Sequence, residues 1–333
     1  MKHNVNQQIR LKNRPTGLPK APDFTLVETE LPGIDVNQIL VRNRYLSLDP
    51  YMRSQIAGRH ITGAIGEGDL MLGETVGEVI ESRNSDYKQG DMLVLNGGWQ
   101  QYFISDGTGA RALDARIDPA SLALGILGMP GLTAFAGLGI LGQPKVGDTL
   151  VVSAASGAVG SMVGQYGRTL GCRVIGIAGS DEKCRWLVDT AKFDACINYK
   201  TETVADGIDR LCPDGVDIYF DNVGGETLDA VMWRLAIGAR VVLCGLMSQL
   251  SSETRPAGPN PATIIKARAT VRGLVVFDHW QRMAEMVETF MPLVKSDEIQ
   301  FLEDVSDGLK AAPAAFERLM CGQNFGKTII KLD

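Results

Sequence analysis

Asp148-Thr149-Leu150-Val151-Val152-Ser153-Ala154-Ala155-Ser156-Gly157-Ala158-Val159-Gly160 is the stretch that decides the fold. Its short apolar, β-branched start predicts a buried strand, and the apolar residues that continue to Leu170 predict a helix. Between them lies a turn of small residues spaced A-x-G-x-x-G, with Ala155 where a dinucleotide fingerprint usually has its first glycine. Gly157 lets the backbone approach a pyrophosphate, and Gly160 lets helix and strand pack closely. The helix opens at Ala158, Val159 and Gly160, where free N–H groups and a partial positive charge favour phosphate. A tight strand–helix turn also needs glycine for purely steric reasons. Here the turn sits inside a longer αβ series, which argues for nucleotide binding.

Working outward, strand-like runs recur at residues 149–153, 173–177, 195–198, 216–221, 240–244 and 271–277, with helical stretches at 159–170, 182–190 and 226–235. Strands joined by crossover helices make a doubly wound parallel sheet, an α/β class. The first 125 residues read differently: short runs at 38–43, 75–82 and 91–95 are separated by turns such as Lys88-Gln89-Gly90-Asp91, a β-rich texture. An apolar helical stretch at 122–127 and Gly128-Met129-Pro130-Gly131 mark the change. The run at 327–332 is strand-like again and is expected to return to the first domain. The predicted organisation is a β-rich domain of residues 1–125 and 300–333, and a dinucleotide-binding domain of residues 126–299. Residues 248–261 form a polar, Pro-rich loop, and no internal repeat appears.

The chain has 333 residues, 45% hydrophobic and 22% charged, with 38 glycines. Those proportions fit a soluble chain with a large core and exclude disorder or collagen-like repeats. With 33 basic and 39 acidic residues the net charge is −6, which argues against a nucleic-acid partner. No apolar run reaches the ~18 residues a membrane span needs. The first eight residues lack the apolar centre of a signal peptide, so a cytoplasmic location is expected. Cys172, Cys184, Cys196, Cys212, Cys244 and Cys321 never stand closer than 12 residues, which excludes zinc knuckles. They are expected to be reduced and mostly buried. With only His3, His60 and His279 besides, no metal is expected.

The second strand of the series ends at Gly179-Ser180-Asp181-Glu182-Lys183. Asp181 lies near the position of the acidic residue that holds the ribose diol of NAD. Ser180, as a helix cap, and Lys183 suit the 2′-phosphate of NADP better. Both readings stand on the residues, with NADP favoured.

At this point the chain resembles the medium-chain dehydrogenase/reductase superfamily. More narrowly, it is similar to the zinc-independent, NADPH-dependent alkenal/one reductases of the prostaglandin-reductase and curcumin-reductase type. The resemblance covers nearly the whole chain. It rests on Leu46-Ser47-Leu48-Asp49-Pro50-Tyr51-Met52-Arg53, Gly128-Met129-Pro130-Gly131-Leu132-Thr133-Ala134, and the turn at residues 155–160. It rests further on residues 179–183, Asn198-Tyr199-Lys200, Tyr219-Phe220-Asp221-Asn222-Val223-Gly224-Gly225 and Gly322-Gln323-Asn324-Phe325-Gly326-Lys327. Zinc-dependent relatives carry Gly-His-Glu before the strand at 75–82, where this chain has Gly73-Glu74.

The resemblance implies a GroES-like fold for the β-rich domain and a Rossmann fold for the other. It also implies a homodimer formed through the nucleotide-binding sheets. The implied reaction transfers a hydride from NADPH to the β-carbon of a small-molecule enone or enal. Gly157, Ala158, Val159 and Gly160 would hold the pyrophosphate, with Ser180, Lys183 and Tyr199 at the adenosine 2′-phosphate. Asn222, Cys244, Gly245, Leu246, Ser248, Leu250, Leu274, Val275, Val276 and Asn324 would line the rest of the cofactor, and Met129 and Thr133 the nicotinamide. Hydride addition leaves an oxyanion that needs a donor, worth roughly 3 kcal/mol. Leu250 stands where the family has a tyrosine, and leucine cannot donate, so Tyr51 becomes the candidate catalytic phenol, with the nicotinamide ribose hydroxyl beside it as the other candidate donor.

Each of these residues also has a plainer reading. Tyr51 could pack beside Pro50, Tyr199 could cover a sheet end, and Asn324 could only make a turn. Asn222 stands at the carboxyl end of a central strand, where open α/β sheets bind ligands. Cys244 reads as a small buried residue, His60 as a solvated loop residue and His279 as a residue after a strand. Arg53 either positions its segment or approaches phosphate. Two other functions compete with the alkene reductase: a quinone reductase of the same superfamily, and a non-catalytic NADPH-binding sensor or structural protein, which Leu250 supports.

Overall fold

A computed structural model describes residues 5–250 and 257–332; residues 1–4, 251–256 and 333, including His3 and the middle of the predicted 248–261 loop, lie outside the described residues. The chain divides into two compact units, Met1–Gly125 with Glu303–Asp333, and Ile126–Leu302.

The first unit begins with β1 (Val5–Leu11) paired antiparallel to β2 (Phe24–Glu30). There follow β3 (Ile39–Ser47), the short helix α1 (Tyr51–Ile56), β4 (Thr75–Ser82), β5 (Met92–Leu95), β6 (Tyr102–Ser105) and β7 (Arg111–Ala112). Alternation along β3, β4 and β5 turns Ile39, Val41, Val79, Leu93 and Leu95 into one buried cluster. A second centre forms where the indole of Trp99 stacks on Phe24 at 5.5 Å and meets Phe316 edge-on at 5.6 Å.

The second unit opens with α2 (Met129–Ala134), which runs on through a wider helical turn, Phe135–Gly142. Then β8 (Thr149–Val152), α3 (Ala158–Thr169), β9 (Arg173–Ala178), α4 (Asp181–Asp189), β10 (Ala195–Asn198), α5 (Val204–Leu211) and β11 (Val216–Asp221) alternate. After them come α6 (Gly225–Met232), β12 (Leu235–Leu243), α7 (Ala262–Ala267), β13 (Thr270–Gly273) and α8 (Met283–Lys295). The six strands lie parallel in the order β10-β9-β8-β11-β12-β13. This is the doubly wound Rossmann order, with its switch point between β8 and β11. Val151, Ile175, Ile177, Ile197, Tyr219 and Val241 fill one side of the sheet. The chain then returns to the first unit with β14 (Glu303–Asp307), α9 (Ala312–Met320) and β15 (Lys327–Lys331). There β15 runs parallel to β14 and antiparallel to β3.

Several expectations are corrected. The strand read at 240–244 already begins at Leu235; a register shift after Val216 and an exposed Gly238 at φ +77° interrupt its apolar pattern. The run read at 271–277 pairs only to Gly273, opposite Leu243 where β12 ends, and residues 276–282 coil into a tight 3-10 turn. The helical stretch read at 122–127 is a 3-10 turn at Ala120–Leu124. Only Cys172 and Cys212 are buried; Cys184, Cys196 and Cys244 are half-buried and Cys321 is exposed. Those four sit on a helix's first turn, in an outer strand or just past an element's end.

Candidate functional site

The decisive turn is held by one unusual residue: Ala154 takes φ +48°, a left-handed conformation that costs an alanine energy. Its neighbour Ala155 is fully buried and donates its N–H to Ile177 O at 3.0 Å, stitching the turn to β9. Across from it stands Gly176, where a Cβ would lie 3.0 Å from that of Ala155. The space saved by a first-position glycine is thus supplied by the adjacent strand. A Cβ at Gly160 would fall 2.4 Å from Ala154 O, so this glycine is required for helix and turn to pack. A Cβ at Gly157 would meet only Ala154 O at 3.2 Å, and is otherwise open. The first helical bond of α3 runs from Ser161 N to Gly157 O, which leaves the amides of Ala158, Val159 and Gly160 without acceptors in the helix. An open glycine face before three such amides fits a pyrophosphate.

At the end of β9, Ser180 caps α4: its Oγ accepts from Lys183 N at 3.2 Å. Asp181 is engaged elsewhere, its carboxylate accepting from Asn198 Nδ2 at 2.7 Å. The ring of Tyr199 is half exposed and its hydroxyl lies against Gly179, where a Cβ would be 2.7 Å from it. The ends of β9 and β10 and the first turn of α4 therefore bring Ser180, Lys183 and Tyr199 to one rim.

The carboxyl end of β11 carries a group that sequence reasoning missed. Asp221 is fully buried, and its carboxylate accepts from Ser153 Oγ (2.9 Å), Tyr219 OH (2.7 Å), Val223 N (3.1 Å) and Gly224 N (3.0 Å). Burial, then the charge of Asp221, pushes the Tyr219 phenol well up, so it stays a donor. Asn222 completes the clamp: its N–H donates to Ser153 Oγ and its Nδ2 to Ser153 O, both at 2.8 Å. Polar residues ending both Ser153 and Asp221 strands were the available signal. The following loop is laced onto this corner. Cys244 N and Gly245 N donate to Asp221 O, Met247 N to Asn222 O, and the amide and hydroxyl of Ser248 to Val223 O. Leu246 is exposed and Leu250 half-buried at the end of this turn.

The remaining expected residues are placed as follows. Thr133 spends its hydroxyl on Met129 O at 2.8 Å, one turn back in α2. Leu274 is buried against the Gly137 turn, whereas Val275 is 39% exposed and Val276 begins the next turn. Tyr51 and Asn324 belong to the first unit. The side chain of Asn324 donates to Gly326 O at 2.9 Å, a turn-forming bond. Tyr51 follows Pro50 at the head of α1, its ring stacked 5.0 Å from His60. His60, expected to be solvated, is half-buried by this stacking, and burial pulls its basicity down. Burial, with Asp49 and Glu74 adding to it, pushes the Tyr51 phenol far up. Asp49 forms a buried ion pair with Lys327 at 2.7 Å, Lys327 also donating to Leu48 O, while Ser47 hydrogen-bonds the carboxylate. Arg53 donates to Gly17 O and Pro15 O and so positions the segment. Among the described residues no group of three or more His, Cys, Asp or Glu side chains is arranged to hold a metal ion.

Two family descriptions match the chain: "N-terminal domain of oxidoreductase" over residues 7–113 and "Zinc-binding dehydrogenase" over residues 158–292. Fold and site together define a medium-chain dehydrogenase/reductase. The NADPH-dependent curcumin reductase of Escherichia coli (strain K12) is 40% identical over 98% of this chain and 97% of its own length. The NADP(+)-dependent 2-alkenal reductase of Nicotiana tabacum is 39% identical over 98% and 97%. The crystal structure of CurA in complex with NADPH from Vibrio vulnificus superposes with a TM-score of 0.94 at 42% identity, covering 98% of this chain and 99% of that one. Within its class the chain belongs to the NADP-dependent alkenal/one oxidoreductase family.

Proposed function

We propose that the protein reduces the C=C bond of α,β-unsaturated ketones and aldehydes with NADPH. The observation that carries this reading is the open Gly157 face before unpaired helix amides, with Ser180, Lys183 and Tyr199 on one rim beyond it. The family membership supports it. When bound, NADPH supplies a hydride for the β-carbon of the conjugated substrate. Gly157, Ala158, Val159 and Gly160 receive the pyrophosphate; Ser180, Lys183 and Tyr199 receive the 2′-phosphate. Asn222, Cys244, Gly245, Leu246, Ser248 and Leu250 flank the nucleotide at the clamped corner. Met129, Thr133, Leu274, Val275, Val276 and Asn324 are assigned with them on family resemblance. Tyr51 is the proposed hydrogen-bond donor to the carbonyl oxygen, because Leu250 stands where the family has a tyrosine and cannot donate.

A cytosolic homodimer belongs to the same proposal. No described helix is long and apolar enough to cross a membrane. Among the described residues the edge strand β13 pairs on one side only, and Ile237 and Ile265, 68% and 77% exposed, lie on the adjoining β12 and α7. Light scattering tests this: a dimer has twice the chain mass of 35.9 kDa.

The activity is tested by following NADPH oxidation, with NADH in parallel, against enals, enones and quinones, and identifying products by mass. Saturated carbonyl products with NADPH preferred are expected. Hydroquinone as the only product would replace the reading by a quinone reductase. NADPH binding without turnover would replace it by a sensor.

A further inference from the structure

In the first unit a chain of hydrogen bonds carries a histidine onto the ring of Tyr51. Gln55, near the end of α1, is buried. Its carbonyl accepts from Gly58 N and from Ile65 N, both at 3.0 Å, so the loop between them is tied to α1 at each end. Inside that loop Gln55 Nε2 donates to Thr62 Oγ1 at 2.9 Å, and Thr62 Oγ1 lies 2.6 Å from His60 Nδ1. The backbone N–H of Thr62 donates to the same Nδ1 at 3.3 Å. The imidazole so held stacks on Tyr51, with ring centroids 5.0 Å apart and planes at 29°.

The donors around Nδ1 settle where the imidazole keeps its proton. A backbone N–H can only donate, so Nδ1 is an acceptor and a neutral ring carries its hydrogen on Nε2. The Thr62 hydroxyl accepts from Gln55 and has one hydrogen to give, which the short contact directs to Nδ1. Protonating Nδ1 sets its N–H against that of Thr62 and forces the hydroxyl to turn round. The charged groups nearby do not favour that change. Arg59 precedes the histidine, Arg53 on α1 is turned to Gly17 O and Pro15 O, and Arg14 lies against Gly58 and donates to Ile65 O. Asp49 and Glu74 act on Tyr51, and among the described residues no carboxylate bonds the imidazole itself. Burial therefore pulls the basicity of His60 below the usual 6.5.

We propose that Gln55 and Thr62 latch His60 against Tyr51 as a neutral imidazole with its hydrogen on Nε2, and that His60 is thereby a positioning residue for the reduction. The reaction clause rests on the assignment of Tyr51 above; the latch clause does not. A phenol at the head of a six-residue helix has several rotamers open to it. A ring stacked on one face removes those that swing the hydroxyl through that face, so the donor waits where a carbonyl oxygen can reach it. A donor misplaced by about 1 Å can cost on the order of 10²-fold in rate. Protonation of His60 opens the latch, so the reaction loses this support on the acid side.

The experiment uses the full chain and two readouts: NMR of nitrogen-labelled histidine, and reduction of an enone at saturating NADPH from about pH 5 to 8. There are three histidines, and His60→Asn identifies the His60 signals by removing them. Expected at neutral pH are a bare Nδ1 and a hydrogen on Nε2; a hydrogen on Nδ1 overturns the latch. His60→Ala is expected to lower kcat about tenfold and to change KM for the enone much less. His60→Asn keeps an acceptor for Thr62 but does not titrate, so the acid limb that the wild type shows below 6.5 should vanish. Thr62→Ala, with one acceptor bond fewer at Nδ1, should move that limb to higher pH, and Thr62→Ser should return it. In a Tyr51→Phe background His60→Ala should add little. An unchanged kcat in His60→Ala, an acid limb that survives His60→Asn, or fully additive losses with Tyr51→Phe would overturn the positioning role. If Tyr51→Phe matches the wild type, or the wild type reduces no enone, the reading of Tyr51 fails and takes the reaction clause with it. The ring-nitrogen signals then still decide the latch.

Discussion

The two units bury a carboxylate by opposite means. In the nucleotide-binding unit, Asp221 is enclosed by neutral donors: a serine hydroxyl, a phenol and two amides. In the β-rich unit, Asp49 is matched by the full charge of Lys327, with side chains 7% and 5% exposed. Neutral donors spread over two strand ends and the following loop make Asp221 a structural corner that shapes where a ligand can sit. A buried ion pair instead ties two distant segments by one contact, and its loss leaves a bare charge in a dry interior.

That contrast can be broken most severely at Lys327. Lys327→Met should cost about 3–5 kcal/mol in urea unfolding, because it strands Asp49, and Asp49→Leu in the same chain should restore much of it. Equal cost in single and double variants would show that the pair is not the source. Asp221→Ala leaves several donors unmatched and should cost about 3 kcal/mol, whereas Asp221→Asn, which keeps acceptor oxygen, should cost about 1 kcal/mol. Identical losses would remove the distinction drawn between charge and acceptor. Within the turn, Gly160→Ala should cost about 2 kcal/mol through the clash with Ala154 O. Gly157→Ala should leave the unfolding midpoint nearly unchanged while weakening NADPH binding by about tenfold. If both variants lose only stability, the open face at Gly157 has no ligand.

The smallest effect concerns pH. Burial pushes the Glu74 carboxyl up from 4.5 despite the guanidinium of Arg111 at 3.1 Å, with Asp49 adding to the rise. The folded state then keeps this proton to higher pH than the unfolded chain, so stability falls as pH rises from about 4.5 through the folded value. Glu74→Gln removes the titration and keeps a partner for Arg111. Thermal unfolding across that window should show the wild type losing stability relative to the variant. A constant difference would mean that Arg111 cancels the effect of burial.

The sequence carried the nucleotide-binding unit further than its partner, for a physical reason. Short strands between turn residues, such as 195–198 and 216–221, carry an apolar centre that a local pattern picks out, and the structure returns them with the same bounds. Strands such as β1 (VNQQIRL) and β14 (EDVSD) are polar on one or both faces and stand out from loops only once their partners are known. The site divides likewise. Gly157 and Gly160 act through local sterics and were readable. The Ser153–Asp221 clamp joins positions 68 apart and the Asp49–Lys327 pair positions 278 apart, which no local pattern announces. Leu250 was legible only against a family pattern.

β15 lies inside the sheet of the first unit, between β14 and β3, although it is made after every other described strand. During synthesis residues 126–302 can close their own parallel sheet while the first unit still lacks an inner strand. At about 5–20 residues per second, Asp49 waits on the order of tens of seconds for Lys327 to leave the ribosome. For that interval the nascent chain carries a finished nucleotide-binding half and an open β-sheet edge at β3.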